Sequence, residues 1–511
     1  MAEGFPGEYE NMTCRIRLLD INHEDEYIND PKDSGLMYRT IDYRKQKSHK
    51  PSVQQPLVRP GKLWTDPDFP LHVAIKEYNE KRLRWQRPHD IVPEPVLFAH
   101  GKQETRFDVK QNQFGTCWFL AMLANLPEKP ELLKKVIKVY NPDQGICHCR
   151  LWRFGEWCDV YIDDHLPVQI IGRVKRIYGA RSGTEENEMW VSLLEKALAK
   201  LYGSYNVVSD RGGFPVDAFL ALTGGVAERI SQNPSDVFYK RLTTALSTGA
   251  MVTCVVPKRY HGVWCLIGSH AYSLTGYCKA RKFDGQYVPL LRIRDPHGTN
   301  EWKGPWSDGS PEWRTVLDKQ RNHKQKDDGE FWICLDDFLQ YFVQTAICAL
   351  TPDFNEDGQP DPLNHVLKIF SEWQGDRAAG KGFSLNERLN NPRLAFTVRG
   401  ICGMVMKTPK YKDLTREGYV PIVVQLVQKA EHLDYQSIRC DVFKMHSNGK
   451  CTQIHDTEGK DDYFQDLQCI FRYNLKEGNY FVVPSTENPR NEREFLVRLF
   501  SPCPLLECRF E

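Results

Sequence analysis

The sequence predicts an α+β protein in which a helical lobe, a β-rich lobe and an antiparallel β-sandwich follow a polar N-terminal segment. Three observations lead to this fold class. Apolar residues recur at helical spacing before residue 222, alternating runs dominate after residue 223, and short strands separated by turn signals fill the chain after residue 360. A length of 511 residues suits roughly three domains.

The composition excludes several classes of protein. The 68 Lys and Arg residues balance 67 Asp and Glu residues, so we expect no nucleic-acid partner. No apolar run approaches the ~18–20 residues of a transmembrane segment, and the N-terminus MAEGFPGEYE does not resemble a signal peptide. The 16 cysteines are scattered singly. We therefore expect a cytoplasmic protein with free thiols.

Changes in composition set the expected domain boundaries. Thr223-Gly224-Gly225 reads as a hinge, and the polar, Pro-rich stretch 351–362 reads as a joint. Residues 1–60 are polar and lack a periodic pattern, so they contain too few apolar groups to offset the entropy lost when a chain becomes ordered. The expected parts are a flexible extension (1–60), a helical first lobe (61–222), a β-rich second lobe (223–352) and a β-sandwich domain (360–511).

Within the first lobe, the segment CWFLAMLANL at 117–126 is apolar on nearly all sides, which predicts a buried helix. Two alternating runs around Gly155 predict a hairpin over 146–166, and apolar spacing predicts a helix over 189–205. In the second lobe, strands are predicted at 250–256, 270–277 and 288–294. In the last domain, the runs YVPIVVQLV, CDVFKMH, NYFVVPS and FLVRLFS predict strands of a sandwich.

Cys117 is the candidate nucleophile, because it opens the buried helix directly after a Gly-Thr pair. The N–H groups at a helix N-terminus favour a thiolate. The N–H of Cys117 itself and the side-chain amide of Gln111 are suited to hold an oxyanion.

His270 is the candidate general base. It begins a strand of the other lobe about 150 residues downstream, an interval typical of papain-type proteases. Asp295 follows the neighbouring strand, where its carboxylate could accept a hydrogen bond from the imidazole and orient it.

These residues resemble the calpains, intracellular calcium-dependent cysteine proteases. The resemblance rests on Gln-x5-Cys-Trp, on His-Ala-Tyr-Ser and on a strand that ends in a polar residue and Pro. It covers about residues 60 to 500 and implies a two-lobed papain-like calpain protease core followed by a C2-like antiparallel β-sandwich. The further similar segments are TDPDFP, RPHDI, FGEWCDVYIDDHLP, SLLEKALAKLYGSY, EWKGPWSD, DGEFW and GNYFVVPST.

Carried over to this sequence, the resemblance places the nucleophile on Cys117, the oxyanion-hole glutamine on Gln111 and the base on His270. The orienting residue falls on Asp295, where calpains have Asn, and the family's following Trp falls on His297. An indole at that position would shield the orienting hydrogen bond from water. The implied activity is limited proteolysis of protein substrates.

The resemblance also implies calcium as a cofactor. Calcium takes 6–8 oxygen ligands, so acidic groups on loops are suitable. Two backbone carbonyl ligands are expected within Gly101–Gln103, and another at Lys326. Arg106 matches a basic residue that links the two calcium sites, with Glu330 as its expected partner. The implied side-chain ligands are Asp108 and Glu188 in the first lobe, and Glu301, Asp308, Asp328 and Glu330 in the second.

The sequence contains no loop of the EF-hand pattern, so we expect no EF-hand small subunit. The C2-like domain leaves peripheral membrane contact open. Two alternatives to a protease also stay open. The altered Asp295 and His297 are compatible with a catalytically weak or inactive, calcium-responsive adaptor, and Cys-His-Asp sites also serve acyl transfer in calcium-dependent transglutaminases.

Overall fold

The structure is a computed structural model that describes residues 36–44, 55–59, 61–76, 83–99, 103–316, 326–399, 406, 411, 414–415, 417–459 and 461–510. The chain forms two compact units. One consists of residues 50–350 with 356–359, and the other of residues 1–49, 351–355 and 360–511. Among the described residues, no helix is both long and apolar enough to cross a membrane.

The helices of the described part are α1 Leu71–Ala74, α2 Pro88–Ile91, α3 Cys117–Leu123, α4 Pro130–Val136, α5 Trp190–Tyr202, α6 Tyr205–Asp210, α7 Pro215–Thr223, α8 Ser235–Ser247, α9 Leu335–Tyr341 and α10 Leu385–Arg388.

The strands of the described part are β1 Met37–Asp42, β2 Leu83–Gln86, β3 Ile137–Asn141, β4 Ile146–Arg153, β5 Glu156–Asp163, β6 Leu166–Ile171, β7 Val174–Ile177, β8 Val226–Arg229, β9 Met251–Val256, β10 His270–Arg281, β11 Tyr287–Arg294, β12 Glu330–Cys334, β13 Val343–Ala349, β14 His365–Trp373, β15 Leu394–Val398, β16 Val420–Gln428, β17 Ile438–Met445, β18 Cys451–Ile454, β19 Gln468–Leu475, β20 Gly478–Thr486, β21 Arg493–Ser501 and β22 Leu506–Phe510.

Helix α3 lies in the core of the first unit. Every residue from Trp118 to Leu123 is buried, as expected for a helix that is apolar on all sides. Pro127 lies in the short 3-10 turn that follows it. Helix α5 is buried over most of its length and ends at Gly203, whose φ of 105° suits glycine. The predicted buried helix, the predicted hairpin of β4 and β5, and the predicted helix α5 are therefore confirmed.

An antiparallel sheet forms the β-rich lobe of the same unit, and its described strands follow the order β12-β11-β10-β9-β13-β8. In its register, His270 lies opposite Val256 and Ser273 lies opposite Arg294. Because β10 begins where the antiparallel β11 ends, His270 and Asp295 come to the same edge of the sheet. The three predicted strands of this lobe are confirmed as β9, β10 and β11.

Two sheets form the second unit, with described strand orders β1-β14-β21-β16-β19 and β18-β17-β20-β15-β22. Buried side chains of both sheets, among them Leu367 and Val442, share one core. This arrangement agrees with the predicted sandwich. Twelve described cysteines are free thiols, but Cys503 is disulfide-bonded, so the expectation of free thiols fails there.

Residues 37–42 do not follow the expectation of a flexible extension. They form β1, which pairs in parallel with β14, and Ile41 is buried in the core of the second unit. The hydrogen bonds to β14 and the burial of alternate side chains supply the stabilisation that this polar stretch lacks on its own. The rest of the segment from residue 1 to 60 lies outside the described residues, except 36, 43–44 and 55–59.

Candidate active site

The turn before Cys117 is held by two hydrogen bonds to the helices behind it. The N–H of Gly115 donates to Ser209 Oγ at 2.8 Å, and Thr116 Oγ1 donates to Glu195 Oε1 at 2.6 Å. A Cβ on Gly115 would lie only 2.6 Å from the carbonyl oxygen of Ser209, so the turn needs glycine. Cys117 is the first residue of α3 and is half-buried.

His270 and Asp295 form a buried pair at the sheet edge. His270 Nε2 donates to Asp295 Oδ1 at 2.9 Å, and the two side chains are 4% and 0% exposed. The same Oδ1 accepts from the backbone N–H of His297 at 2.8 Å and from its Nδ1 at 3.0 Å. The rings of His270 and His297 stack with centroids 4.7 Å apart. His297 therefore covers the pair on one side.

The electrostatics of the site favour a thiolate beside an imidazolium. Burial alone would raise the pKa of Cys117, but a hydrogen bond to His270, the charge of that imidazole and the N–H groups of Ala271 and Trp118 lower it below its usual value. Burial opposes the charge on His270, yet Asp295 and Cys117 raise its pKa to about 10. Burial would also raise the pKa of Asp295, but hydrogen bonds from both imidazoles hold it well below its usual range.

Gln111 is buried and connects the two lobes through its backbone. Its N–H donates to the carbonyl oxygen of Pro296 at 2.8 Å, and its side-chain Nε2 donates to the carbonyl oxygen of Phe114 at 2.8 Å. The bond to Phe114 uses one of two amide hydrogens, so the second can donate to an oxyanion.

Further hydrogen bonds join the lobes around the candidate catalytic residues. Ser273 Oγ donates to the carbonyl oxygen of Ala121 at 2.6 Å, which ties β10 to α3. Arg294 Nη2 donates to the carbonyl oxygen of Val109 at 2.8 Å. The first bond holds the strand that carries His270 against the helix that carries Cys117, and the second joins the end of β11 to the segment before that helix. Of the four residues predicted for catalysis, Cys117, His270 and Asp295 thus meet in one place, and Gln111 contacts Pro296, the neighbour of Asp295.

The carboxylates predicted for the first-lobe calcium site lie together and are both buried. Asp108 accepts from Thr184 Oγ1 and from the backbone N–H of Thr105. Glu188 accepts from the N–H of Ala99 at 2.9 Å and from Ser182 Oγ at 2.8 Å. Burial, and then the charge of Asp108, raise the pKa of Glu188. A cation would relieve this penalty, so the pair fits a cation site. Two carbonyl ligands were expected within the range 101–103, of which residues 101 and 102 lie outside the described residues.

The second-lobe carboxylates form a larger acidic cluster. Glu301 Oε1 accepts from the N–H groups of Asp328 and Gly329 at 3.0 and 3.1 Å. Burial and then the charge of Glu301 raise the pKa of Asp308 to about 7, with Asp328 and Glu330 adding to the repulsion. Carboxylates that resist ionisation because they crowd one another suit a divalent cation with oxygen ligands.

Arg106 and Glu330 form the ion pair that the sequence predicts. Arg106 Nε donates to Glu330 Oε1 at 2.8 Å, while its Nη1 donates to Glu128 Oε1 at 2.6 Å. Thr275 Oγ1 also donates to Glu330 Oε1, at 2.7 Å. Glu330 therefore joins the first lobe to the acidic cluster of the second.

Sequence reasoning missed two residues that support the site. Glu195 is 1% exposed and holds both Thr116 and the N–H of Ala180. An acidic residue within the largely apolar run SLLEKALAKL was the signal that could have pointed to Glu195. Gly329 has a φ of 81°, and an added Cβ would lie 2.6 Å from Gly298 Cα. Nothing in the local sequence indicates that close approach.

Comparisons with known proteins agree with this geometry. Residues 64–349 match the model of the calpain family cysteine proteases, and residues 369–500 match that of calpain large subunit domain III.

Three relatives illustrate the similarity. Calpain-9 of Rattus norvegicus is 33% identical over 482 residues, which are 88% of this chain and 66% of the relative. Calpain-A of Drosophila melanogaster is 32% identical, with coverages of 86% and 56%. The catalytic subunit of calpain-1 of Sus scrofa is 31% identical, with coverages of 92% and 68%. Because one family model matches more than half of the residues and Cys117, His270 and Asp295 lie within it, the chain belongs to the calpain family of cysteine proteases.

Proposed function

We propose that the protein is a cytoplasmic, calcium-dependent cysteine endopeptidase that cuts other proteins at a limited number of sites. The observation that carries the proposal is the lowered pKa of Cys117 beside His270, whose imidazole is held by the buried Asp295. A thiolate paired with an imidazolium is the reactive form of a cysteine protease. A cytoplasmic location would keep this thiol reduced.

In the proposed reaction, the sulfur of Cys117 attacks the scissile carbonyl carbon, and the carbonyl oxygen becomes an oxyanion. The N–H of Cys117 and the amide of Gln111 donate to that oxygen. The imidazolium of His270 then gives its proton to the leaving amine. Water hydrolyses the resulting thioester, with His270 accepting the proton of the water. Asp295 keeps the imidazole oriented throughout.

Calcium is part of the proposal because both acidic groups fit a cation. Asp108 and Glu188 would hold one ion, and Glu301, Asp308, Asp328 and Glu330 the other. Bound calcium would supply positive charge beside Glu188 and Asp308, whose pKa values are raised by burial and by neighbouring carboxylates. The ion pair of Arg106 with Glu330 gives the first lobe a direct contact with the second cluster.

We further assign the second unit to the C2-like class. The match to calpain domain III and the two sheets with a common core support this assignment. Peripheral membrane contact is a property that this class would add to the enzyme.

The test is cleavage of an unfolded protein by the purified chain across a calcium titration. Cys117→Ala should abolish cleavage. Cys265→Ala is the matched control, because Cys265 is a free and exposed thiol outside the catalytic residues. The wild type and the control should cut only when calcium is present. Absence of cleavage at any calcium concentration would favour the adaptor, and incorporation of an amine in place of hydrolysis would favour a transferase.

A further inference from the structure

Ring nitrogens of two histidines contact the same carboxylate oxygen of Asp295. His270 Nε2 lies 2.9 Å from Oδ1 and His297 Nδ1 lies 3.0 Å from it. One ligand atom from each of the three residues lies within 4.8 Å of the others, and among the described residues no other group of three or more His, Cys, Asp or Glu side chains meets this condition.

The separations suit a transition metal. Zinc binds imidazole nitrogen and carboxylate oxygen at about 2.0–2.1 Å in a tetrahedron, which places neighbouring ligand atoms about 3.3 Å apart. The two nitrogen–oxygen distances are close to that value. Both rings place a nitrogen beside the same oxygen, so small movements of the carboxylate and of the half-buried imidazole of His297 would admit an ion.

A second observation points to a ligand at this place. Asp295 is fully buried, and its other oxygen, Oδ2, has no hydrogen-bond partner in the described structure. A buried carboxylate oxygen without a donor is unfavourable unless a cation or another donor satisfies it. The side chain of His297 is 26% exposed, so an ion has a path from solvent to the buried pair.

We infer that His270, His297 and Asp295 form an inhibitory binding site for Zn²⁺ or a similar divalent transition metal. Two imidazoles and a carboxylate, with a water in the fourth position, are an ordinary zinc ligand set. The site depends on His297, because the indole that calpains carry at that position has a donor N–H and no lone pair for a metal.

Binding is balanced by the release of one proton. The imidazolium of His270 loses the proton on Nε2 and keeps the one on Nδ1, which faces Cys117. His297 moves its ring hydrogen to Nε2, leaving Nδ1 to bind the metal. With the metal on Nε2, the proton on Nδ1 can leave only by turning His270 into an imidazolate, so His270 can no longer pass a proton to the leaving amine. The metal would therefore stop the protease.

The first arm of the test measures binding without activity. Zn²⁺ is titrated by competition with a chromophoric chelator into the full chain carrying Cys117→Ala, at constant calcium. One zinc should bind per chain. His297→Phe in this background should weaken binding by at least about tenfold, because phenyl keeps a ring on His270 but has no ligand atom. Asp295→Asn, which is nearly isosteric, should also weaken it.

The matched control is His148→Phe. His148 Nε2 also binds an aspartate, Asp159, at 2.8 Å, and its ring stacks on Tyr161 with centroids 4.3 Å apart. It lacks a second imidazole, so its replacement should leave zinc affinity unchanged. Equal affinity in His297→Phe and His148→Phe would overturn the inference. Loss of the site in Cys117→Ala relative to the wild type would instead place the metal on the thiol, and would overturn it too.

The second arm uses the wild-type enzyme and rests on the proposed function. At constant calcium, zinc should inhibit cleavage, a zinc-selective chelator should restore it, and His297→Phe should need at least about tenfold more zinc for half-inhibition relative to its own uninhibited rate. If the chain has no protease activity, the binding arm still decides the metal site, so the two ideas fail separately.

Discussion

The backbone N–H of Asp295 donates to the carbonyl oxygen of Gly329 at 2.9 Å. The N–H of Gly329 in turn donates to Glu301 Oε1 at 3.1 Å. Gly329 thus links the acidic cluster of the second lobe to Asp295, the residue whose carboxylate orients His270. A change in how Glu301 is held therefore reaches the catalytic residues through two hydrogen bonds.

Gly329→Ala should lower kcat/KM by about 10²-fold. The added Cβ would lie 2.6 Å from Gly298 Cα and 3.0 Å from the carbonyl oxygen of Asp295, so the backbone beside Asp295 must move. A displacement of about 1 Å in a catalytic group costs that much. Gly285→Ala is the control, because Gly285 has a φ of 87° against 81°, but a Cβ there meets no atom within 4 Å. Equal losses in the two variants would show that backbone strain alone is responsible.

Replacing Asp295 should separate orientation from charge. Asp295→Ala removes the acceptor for His270 and should lower turnover by orders of magnitude. Asp295→Asn keeps an acceptor but removes the negative charge that helps to raise the pKa of His270. The imidazolium would then lose its proton at lower pH, so the alkaline limit of kcat/KM should move to lower pH while substantial activity remains. A pH–rate profile checks both results, and an unchanged alkaline limit in the Asn variant would contradict the assigned role.

Asp308→Asn should raise the calcium concentration for half-maximal cleavage by about tenfold, because the site loses a charged ligand. Without calcium the same variant should unfold at a higher temperature than the wild type, since burial and Glu301 disfavour the ionised carboxylate. Asp284→Asn serves as control, because Asp284 lies half exposed in a turn of the same lobe. A higher calcium requirement together with a higher unfolding temperature distinguishes a cation ligand from a purely structural residue.

Glu195→Gln should remove a pH dependence of stability. Burial raises the pKa of Glu195 to about 7 from 4.5, although hydrogen bonds from Thr116 and Ala180 oppose the shift. Between these two pH values the unfolded chain releases a proton that the folded chain retains, so folding stability falls as pH rises. The loss is on the order of a few kcal/mol.

Thermal unfolding of the full chain as a function of pH measures this effect. The wild type should lose stability between pH 4.5 and about 7, and Glu195→Gln should lose less over the same interval. Glu186→Gln, at an exposed position of the same lobe, should behave like the wild type. Parallel curves for all three proteins would mean that Glu195 is ionised when folded.

Local patterns predicted the parts of the fold that depend on nearby residues. The helix that Cys117 begins follows from an apolar run, and the position of His270 and Asp295 at one sheet edge follows from strand ends. The pairing of β1 could not be predicted, because its partner is distant in sequence and its own apolar content is low. The roles of Glu195 and Gly329 depend on contacts that only folding creates. The stacking of His297 on His270 could not be predicted either, because it too depends on a contact that only folding creates.

The pairing of β1 with β14 has a consequence for protein whose chain has been cut once after β1. The first described strand belongs to the same sheet as β14, whereas the residues that carry Cys117 and His270 belong to the other unit. Breaking one peptide bond between residues 44 and 55 would leave β1 held by its ladder and by buried Ile41. The nicked molecule should elute as one particle and separate into two pieces only in denaturant, so an intact elution profile would be no proof of an intact chain.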